Sequence, residues 1–104
     1  QFCNLGDYSF IGMNTSINMD IPAFVKVAAD PARIIGLNSV GMARNDISAD
    51  SISLIKKAYK LVYRKGLKID DAIKKSKELN KDHNDSFLDI FINSLEMSER
   101  GILR

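Results

Sequence analysis

The chain has 104 residues, a net charge of +2 and an apolar share of 45%, which fits one globular domain or one small domain with an appendage. It contains neither an apolar run long enough to span a bilayer nor a signal-peptide pattern, and the small net charge gives no argument for a nucleic-acid partner. The single Cys3 excludes an internal disulfide and fits a reducing compartment.

Aliphatic residues recur every six positions at the start of the chain, at Leu5, Ile11 and Ile17, and a glycine follows the first two as Gly6 and Gly12. Neither an α-helix nor an ordinary strand has this period, whereas the sides of a parallel β-helix coil each point one aliphatic inward. Glycine suits a corner where two backbones approach closely. We therefore predict that residues 1–29 form one terminal coil of a parallel β-helix, with the three aliphatics inward.

One such coil cannot bury its inward row alone, because each coil packs against the coils above and below it. The first residue is also Gln1 rather than methionine. We therefore expect the chain to be a fragment or a processed product, with the remaining coils upstream.

The next stretch combines a turn, an apolar run and a break. The turn is Asp20-Ile21-Pro22, and the run that follows predicts a last strand over residues 24–28. Asp30-Pro31 ends that strand, since proline cannot donate to a sheet ladder. Residues 30–47, which include Gly36 and Gly41, are predicted to form an irregular connector.

From residue 48 onward the apolar period becomes helical and predicts a domain of about three helices over 48–104. The first begins at the N-cap Ser48 and stops at Gly66, the second runs from about Asp70 to Asn80, and the third starts near Ser86. The predicted inward residues are Ile52, Leu54, Ile55, Ala58, Tyr59, Leu61, Val62, Ala72, Ile73, Leu79, Phe87, Leu88, Phe91 and Leu95. This core is small, so the helices should also pack on the β-helix or on neighbouring subunits.

A basic arc lies opposite the apolar stripe of the first helix. Lys56, Lys60 and Arg64 are spaced by four residues and Lys57 lies beside them, covering roughly 100° of the helix. Such an arc is usually a solvated face, but it is also the kind of surface that attracts an acidic protein partner. We call these four residues the docking surface.

Several motifs together resemble one enzyme family. Gly36-Leu37-Asn38, Gly41 with Arg44, AYKLVYRKGL at 58–67 and SERGILR at 98–104 are similar to the acyl-carrier-protein–UDP-N-acetylglucosamine O-acyltransferases, which catalyse the first step of lipid A synthesis. The resemblance implies the last coil of a left-handed parallel β-helix followed by a small all-α C-terminal domain. It also implies a cytoplasmic homotrimer that moves a 3-hydroxyacyl group from acyl carrier protein to the 3-hydroxyl of UDP-N-acetylglucosamine, with no metal or separate cofactor.

The resemblance assigns roles to individual residues. Gln1 matches a glutamine that contacts the sugar, Asn38 an asparagine that contacts the nucleotide, and Arg44 an arginine that meets phosphate groups. The alternatives from the residues alone are that Gln1 is a turn-facing polar residue and that Asn38 stabilises a turn beside Gly36. For Arg44, a guanidinium suits phosphate because of its fixed fork of donors. The family often carries an acidic residue where Val40 stands and a second arginine where Asn45 stands. These two differences affect what the resemblance implies about nucleotide recognition.

No catalytic constellation is predicted within these 104 residues. The family uses a histidine on an earlier coil as its general base, whereas His83, the single histidine here, lies in a loop sequence and is expected to be exposed. Cys3 has no histidine or aspartate beside it and is expected to be a buried coil residue. With the family in view, the docking surface is expected to bind the acidic carrier protein.

Met13 follows the glycine of the second six-residue repeat. By resemblance it stands where the acyl tail ends, at a position that is often glycine in long-chain enzymes, so it is expected to limit the acyl chain length. The alternative is that its flexible side chain fills a packing gap.

Two hypotheses follow for the chain as a whole. It is the C-terminal part of the acyltransferase, inactive by itself, or it is a non-catalytic helical module that recognises acyl carrier protein or caps a β-helix. The sequence upstream of residue 1 would distinguish them, since further repeats with a histidine would indicate the enzyme.

Overall fold

A computed structural model describes residues 5–12, 19–28, 33–98 and 101–104. Within these ranges the chain forms a small β layer followed by helices. The strands are β1 (Phe10–Ile11), β2 (Val25–Ala28) and β3 (Arg33–Leu37), and the helices are α1 (Ser39–Arg44), α2 (Ala49–Tyr63), α3 (Ile69–Asn80) and α4 (Ser86–Glu96).

Two successive passes of the chain pair in parallel, as consecutive coils of a parallel β-helix do. Leu5 bridges to Ile21, and β1 pairs with β2 through Phe10 and Lys26 and through Ile11 and Val27. In each of these pairings the two residues are 16 positions apart in the sequence. A coil with three sides of six residues each would make this separation two residues longer. The prediction of a coil is confirmed, with a shortened circuit.

The inward placement predicted for the first aliphatics is wrong for Leu5. Its side chain is 58% exposed, while Ile11 is partly buried and Ile17 lies outside the described residues. Among those residues Leu5 pairs only with Ile21, so its other side is open in this chain. It lines a shallow groove together with Ile21, Ile90 and Met97.

The irregular connector predicted for residues 30–47 is also wrong, as is the prediction that β2 is the last strand. Residues 33–37 form β3, which runs antiparallel to β2 with Val25 opposite Leu37 and a register shift after Lys26. Residues 39–44 then form α1. The β-branched pair Ile34-Ile35 favours a strand, and Gly36, with φ +150°, accommodates the irregular register there. The predicted boundaries between coil, connector and helical domain, at residues 29 and 47, stay a prediction.

The three longer helices start close to the predicted positions, and side chains cap two of them. The Ser48 hydroxyl accepts a hydrogen bond from the backbone N–H of Ser51 at 3.2 Å, and the Asp85 carboxylate accepts one from Leu88 at 2.9 Å. α2 ends at Tyr63, three residues before Gly66, which has φ +66°. The caps of α2 and α4 are local, so these starts could be derived from the sequence, whereas Lys68 before α3 makes no side-chain cap bond.

One apolar core joins the β layer to the helices. Of the residues predicted to face inward on the helices, nine are buried, and Ile52, Leu61, Ile73, Leu79 and Phe87 are partly buried. The same cluster includes β-layer residues such as Phe24 and Val27, which are fully buried. The expectation that the helices pack on the β-helix is therefore confirmed for the described residues.

An aromatic stack fixes one corner of the β layer against α4. Tyr8 and Phe24 lie 16 residues apart, both have positive φ (60° and 65°), and their rings stack at 5.2 Å with an angle of 4°. Positive φ costs a non-glycine residue about 1–2 kcal/mol, and burial of Phe24 offsets it. Phe87 of α4 contacts Tyr8 edge-on at 6.3 Å.

Candidate functional site

A cleft of about 620 Å³ separates the end of β3 and the start of α1 from the basic face of α2. Three of the four docking-surface residues line it, namely Lys56, Lys60 and Arg64, together with Lys65. Lys57 is exposed on the same helix but does not line the cleft. The other lining residues are Gly36, Leu37, Ser39 and Tyr59.

The core sets the rotation of α2 and therefore the direction of its lysines. Ile55, Ala58 and Val62 are at most 1% exposed and hold one face of the helix against the other layers. Residues four apart share a face of an α-helix, so Lys56, Lys60 and Arg64 point together to solvent.

The positive charge of this face is not neutralised within the described part of the chain. The ion pair found there joins Lys77 to Glu96 at 2.7 Å, on other helices. A cleft lined by one sign of charge concentrates its field on an approaching anionic group. The cleft is therefore suited to an acidic surface or a phosphorylated ligand.

Asn38, predicted to contact the nucleotide, holds α1 in place. Its Oδ1 accepts a hydrogen bond from the N–H of Gly41 at 3.1 Å as the N-cap of α1, and its Nδ2 donates to the carbonyl of Tyr8 at 3.0 Å. An added Cβ on Gly41 would lie 2.8 Å from Asn38 Cγ, so a glycine there allows the cap to close. A primary amide has further donor and acceptor capacity, and the predicted nucleotide contact stays a prediction.

Arg44 is the last residue of α1 and is exposed. Met42, fully buried, anchors this short helix in the core two residues earlier. Arg44 does not line the cleft of α2, so the structure does not bring it together with the docking surface. Asn45, which stands where the family often has a second arginine, donates from Nδ2 to the carbonyl of Gly41 at 2.7 Å and thus caps its own helix.

Other residues considered from the sequence lie elsewhere. Gln1, Cys3 and Met13 fall outside the described residues. His83 is exposed in the loop between α3 and α4, as predicted, and its backbone N–H donates to the carbonyl of Asn80 at 3.2 Å. Over the described ranges, no three metal-ligating side chains cluster and no helix is both long and apolar enough to cross a membrane.

The sequence did not predict that Tyr59 and Lys65 line the cleft. Its helical period predicts Tyr59 as a core residue, and it is 9% exposed, but it also lines the cleft. Lys65 follows Arg64 directly, so its place in a run of basic residues was the available signal. The sequence also did not predict that β3 lines the cleft, because it did not predict that strand.

Residues 20–103 match the family model described as UDP N-acetylglucosamine O-acyltransferase, domain 2. Among curated proteins, the acyl-[acyl-carrier-protein]–UDP-N-acetylglucosamine O-acyltransferases of Pseudomonas putida W619 and Ectopseudomonas mendocina are 40% and 41% identical to this chain. Each match covers all of the chain but 40% of the relative's length.

Solved structures give the same result. UDP-N-acetylglucosamine O-acyltransferase from Moraxella catarrhalis superposes with a TM-score of 0.91 at 36% identity, and a structure from Acinetobacter baumannii with 0.90 at 39%. Both superpositions cover the whole chain and 40% of the solved chain. These neighbours are left-handed β-helix proteins, which confirms the predicted fold class, a terminal coil followed by a helical domain.

Proposed function

Because the chain belongs to the UDP-N-acetylglucosamine O-acyltransferase family, we propose that it is the C-terminal part of an enzyme of lipid A synthesis. The enzyme transfers a 3-hydroxyacyl group from acyl carrier protein to the 3-hydroxyl of UDP-N-acetylglucosamine. The observation that carries this proposal is the match of the entire chain, in fold and sequence, to such acyltransferases. The chain spans 40% of their length, so the activity belongs to the longer protein.

In the reaction, a general base removes the proton of the sugar 3-hydroxyl, the oxygen attacks the thioester carbon, and the carbon–sulfur bond breaks. The acyl group is then an ester of the sugar, and the base passes its proton to the leaving sulfur, so that a thiol remains on the carrier's pantetheine arm. The described residues offer no oriented base, since His83 is exposed in a loop. We assign the base to the part of the enzyme outside these 104 residues.

This part of the enzyme contributes recognition. The docking surface of Lys56, Lys57, Lys60 and Arg64 receives the acidic carrier protein, since complementary charge raises the association rate. Arg44 binds phosphate of the carrier arm or the nucleotide, for which its fork of donors is suited. Asn38 contacts the nucleotide while capping α1, and Gln1 contacts the sugar.

We further propose a homotrimer located in the cytoplasm. A trimer places neighbouring β-helices side by side, and the acyl tail lies in the groove between them. The lone Cys3 fits a reducing compartment. The reaction requires no metal or dissociable cofactor beyond the carrier's own arm.

A second candidate is a non-catalytic module that binds acyl carrier protein. The observation that favours it is the basic cleft of α2, which these residues form by themselves. The two candidates differ in whether acyl transfer occurs.

The test compares two purified proteins in the same transfer assay, the 104-residue chain and the full-length protein that contains it. We expect acylated UDP-N-acetylglucosamine from the full-length protein and none from the isolated chain, because the described residues hold no oriented base and the chain spans 40% of its relatives' length. Transfer by the isolated chain would contradict the proposal that the general base lies outside these 104 residues. No transfer by the folded full-length protein would favour the non-catalytic binding module.

Met13→Gly in the full-length enzyme should shift donor preference toward longer acyl chains. We propose that the Met13 side chain blocks the end of the acyl groove and sets a preference near ten to twelve carbons, about two to four fewer than a long-chain enzyme accepts. Each methylene that does not fit forfeits roughly 0.8 kcal/mol of burial, so a few carbons change kcat/KM by orders of magnitude.

The measurement is kcat/KM for a series of 3-hydroxyacyl carrier proteins with wild type and Met13→Gly. Met13→Leu is the matched control, because it keeps the volume and should keep the preference. An unchanged preference in Met13→Gly would show that Met13 fills a packing gap instead.

A further inference from the structure

The segment 101–104 joins the β layer through an isolated β-bridge. Ile102 is 6% exposed and bridges in parallel to Asp20. The backbone N–H of Asp20 donates to the carbonyl of Gly101 at 3.0 Å, and the N–H of Leu103 donates to the carbonyl of Asp20 at 2.9 Å. The segment is therefore fixed on one side by two backbone hydrogen bonds to Asp20.

On its other side, the same segment is hydrogen-bonded to the end of α2. The Tyr63 hydroxyl donates to the carbonyl of Leu103 at 2.7 Å. Arg104 Nη2 donates to two carbonyls, that of Val62 at 2.6 Å and that of Leu67 at 2.7 Å. Burial, followed by the nearby Tyr59, raises the pKa of Tyr63 well above its ordinary value.

These two carbonyls bracket the turn that ends α2. The last carbonyls of an α-helix have no partner within the helix, and a cation at this end is favourable. Arg104 satisfies one such carbonyl and ties it to the residue beyond Gly66. Arg64 and Lys65, which line the basic cleft, lie between the two bonded residues.

We propose that residues 101–104 are a latch that holds the end of α2, with Arg104 as a positioning residue for the docking surface. The proposal rests on the proposed function, in which that surface receives the carrier protein. Without the latch, the last turn of α2 would fray and Arg64 would lose its fixed place beside Lys60. Carrier binding would then weaken, because more side chains would have to be ordered on association.

Arginine suits this role for a geometric reason. The two hydrogens of one planar guanidinium nitrogen point in different directions and reach two separate carbonyls while the charge is retained. Lysine keeps the charge but lacks the planar fork, so Arg104→Lys should restore part of what Arg104→Ala loses.

The test uses the full-length enzyme with Arg104→Ala, Arg104→Lys and, as a charge-matched control, Lys75→Ala, which removes an exposed lysine of α3. Without substrates, amide hydrogen exchange over residues 62–67 should become about tenfold faster in Arg104→Ala, since charged hydrogen bonds to two carbonyls are lost. The control should exchange like the wild type.

The second readout compares two donors carrying the same acyl group, acyl carrier protein and a protein-free phosphopantetheine thioester. Arg104→Ala should lower kcat/KM about tenfold for the carrier donor and leave the protein-free donor unchanged. Equal losses with both donors, or unchanged exchange over 62–67, would overturn the latch. If Arg104→Ala does not fold, Tyr63→Phe removes the bond to Leu103 and is judged by the same two readouts.

Failure of the latch is distinguishable from failure of the proposed docking. If charge reversal at Lys60 and Arg64 leaves carrier use unchanged, the docking surface is wrong and the latch has no role in carrier recognition. If reversal weakens carrier use while Arg104→Ala does not, the docking surface stands and the latch is overturned.

Discussion

Gly6→Ala in the full-length protein should lower the free energy of unfolding by about 3 kcal/mol. A Cβ on Gly6 would lie 2.5 Å from the carbonyl carbon of Pro22 and 2.6 Å from Ala23 Cα. Both are backbone atoms of the next pass of the chain, which cannot move without breaking the parallel pairing. The Gly6 N–H also donates to the Ile21 carbonyl at 2.7 Å in that pairing.

Gly12→Ala is the matched control because Gly12 follows the next aliphatic of the same coil. Its added Cβ would meet Ala28 Cβ and the Val27 carbonyl oxygen at 3.4 Å, which is ordinary contact. We expect its cost to stay under about 1 kcal/mol. Chemical denaturation of both variants measures the difference, and equal costs would contradict the close approach at Gly6.

Reversing charge on α2 should strongly weaken use of the carrier-bound donor. In the full-length enzyme, Lys60→Glu combined with Arg64→Glu should lower kcat/KM for acyl carrier protein about 10- to 100-fold at low salt. Both side chains are exposed and line the cleft, so folding should be retained. The loss should shrink as salt screens the charges.

Two comparisons isolate the docking surface. Lys75→Glu with Lys81→Glu makes the same change in net charge on exposed α3 and loop positions, and it should affect carrier use far less. Arg44→Ala should impair carrier and protein-free phosphopantetheine donors alike, because its proposed contact is to phosphate. If the reversal on α2 and the reversal on α3 have equal effects, net charge alone explains the result.

Capping residues and apolar periodicity are local features of the sequence, and they made the helical half of this fold predictable. Ser48 caps α2 through its own side chain, and the apolar period of 3.6 residues identifies the buried faces of α2 and α4. The basic arc is also local, since residues four apart on one helix share a face. The Lys56, Lys60 and Arg64 face could therefore be predicted before any tertiary contact was known.

Non-local contacts explain what the sequence did not reveal. β3 forms because β2 offers it an antiparallel edge, and α1 depends on Asn38, whose amide also reaches back to Tyr8. Asparagine is a favourable N-cap residue, but a six-residue helix containing Gly41 has little intrinsic helix propensity. Arg104 bonds to residues far earlier in the chain, a pairing that no local pattern indicates.

The central claim is that the docking surface of α2 binds the acidic acyl carrier protein that brings the acyl group to the enzyme. Its most direct measurement is kcat/KM of the full-length wild-type enzyme for one acyl group presented on acyl carrier protein and on protein-free phosphopantetheine, at low and near-physiological salt. We predict a preference for the carrier-bound donor that narrows as salt rises, since screening weakens attraction between the two proteins. Equal use of both donors at every salt concentration would contradict the claim.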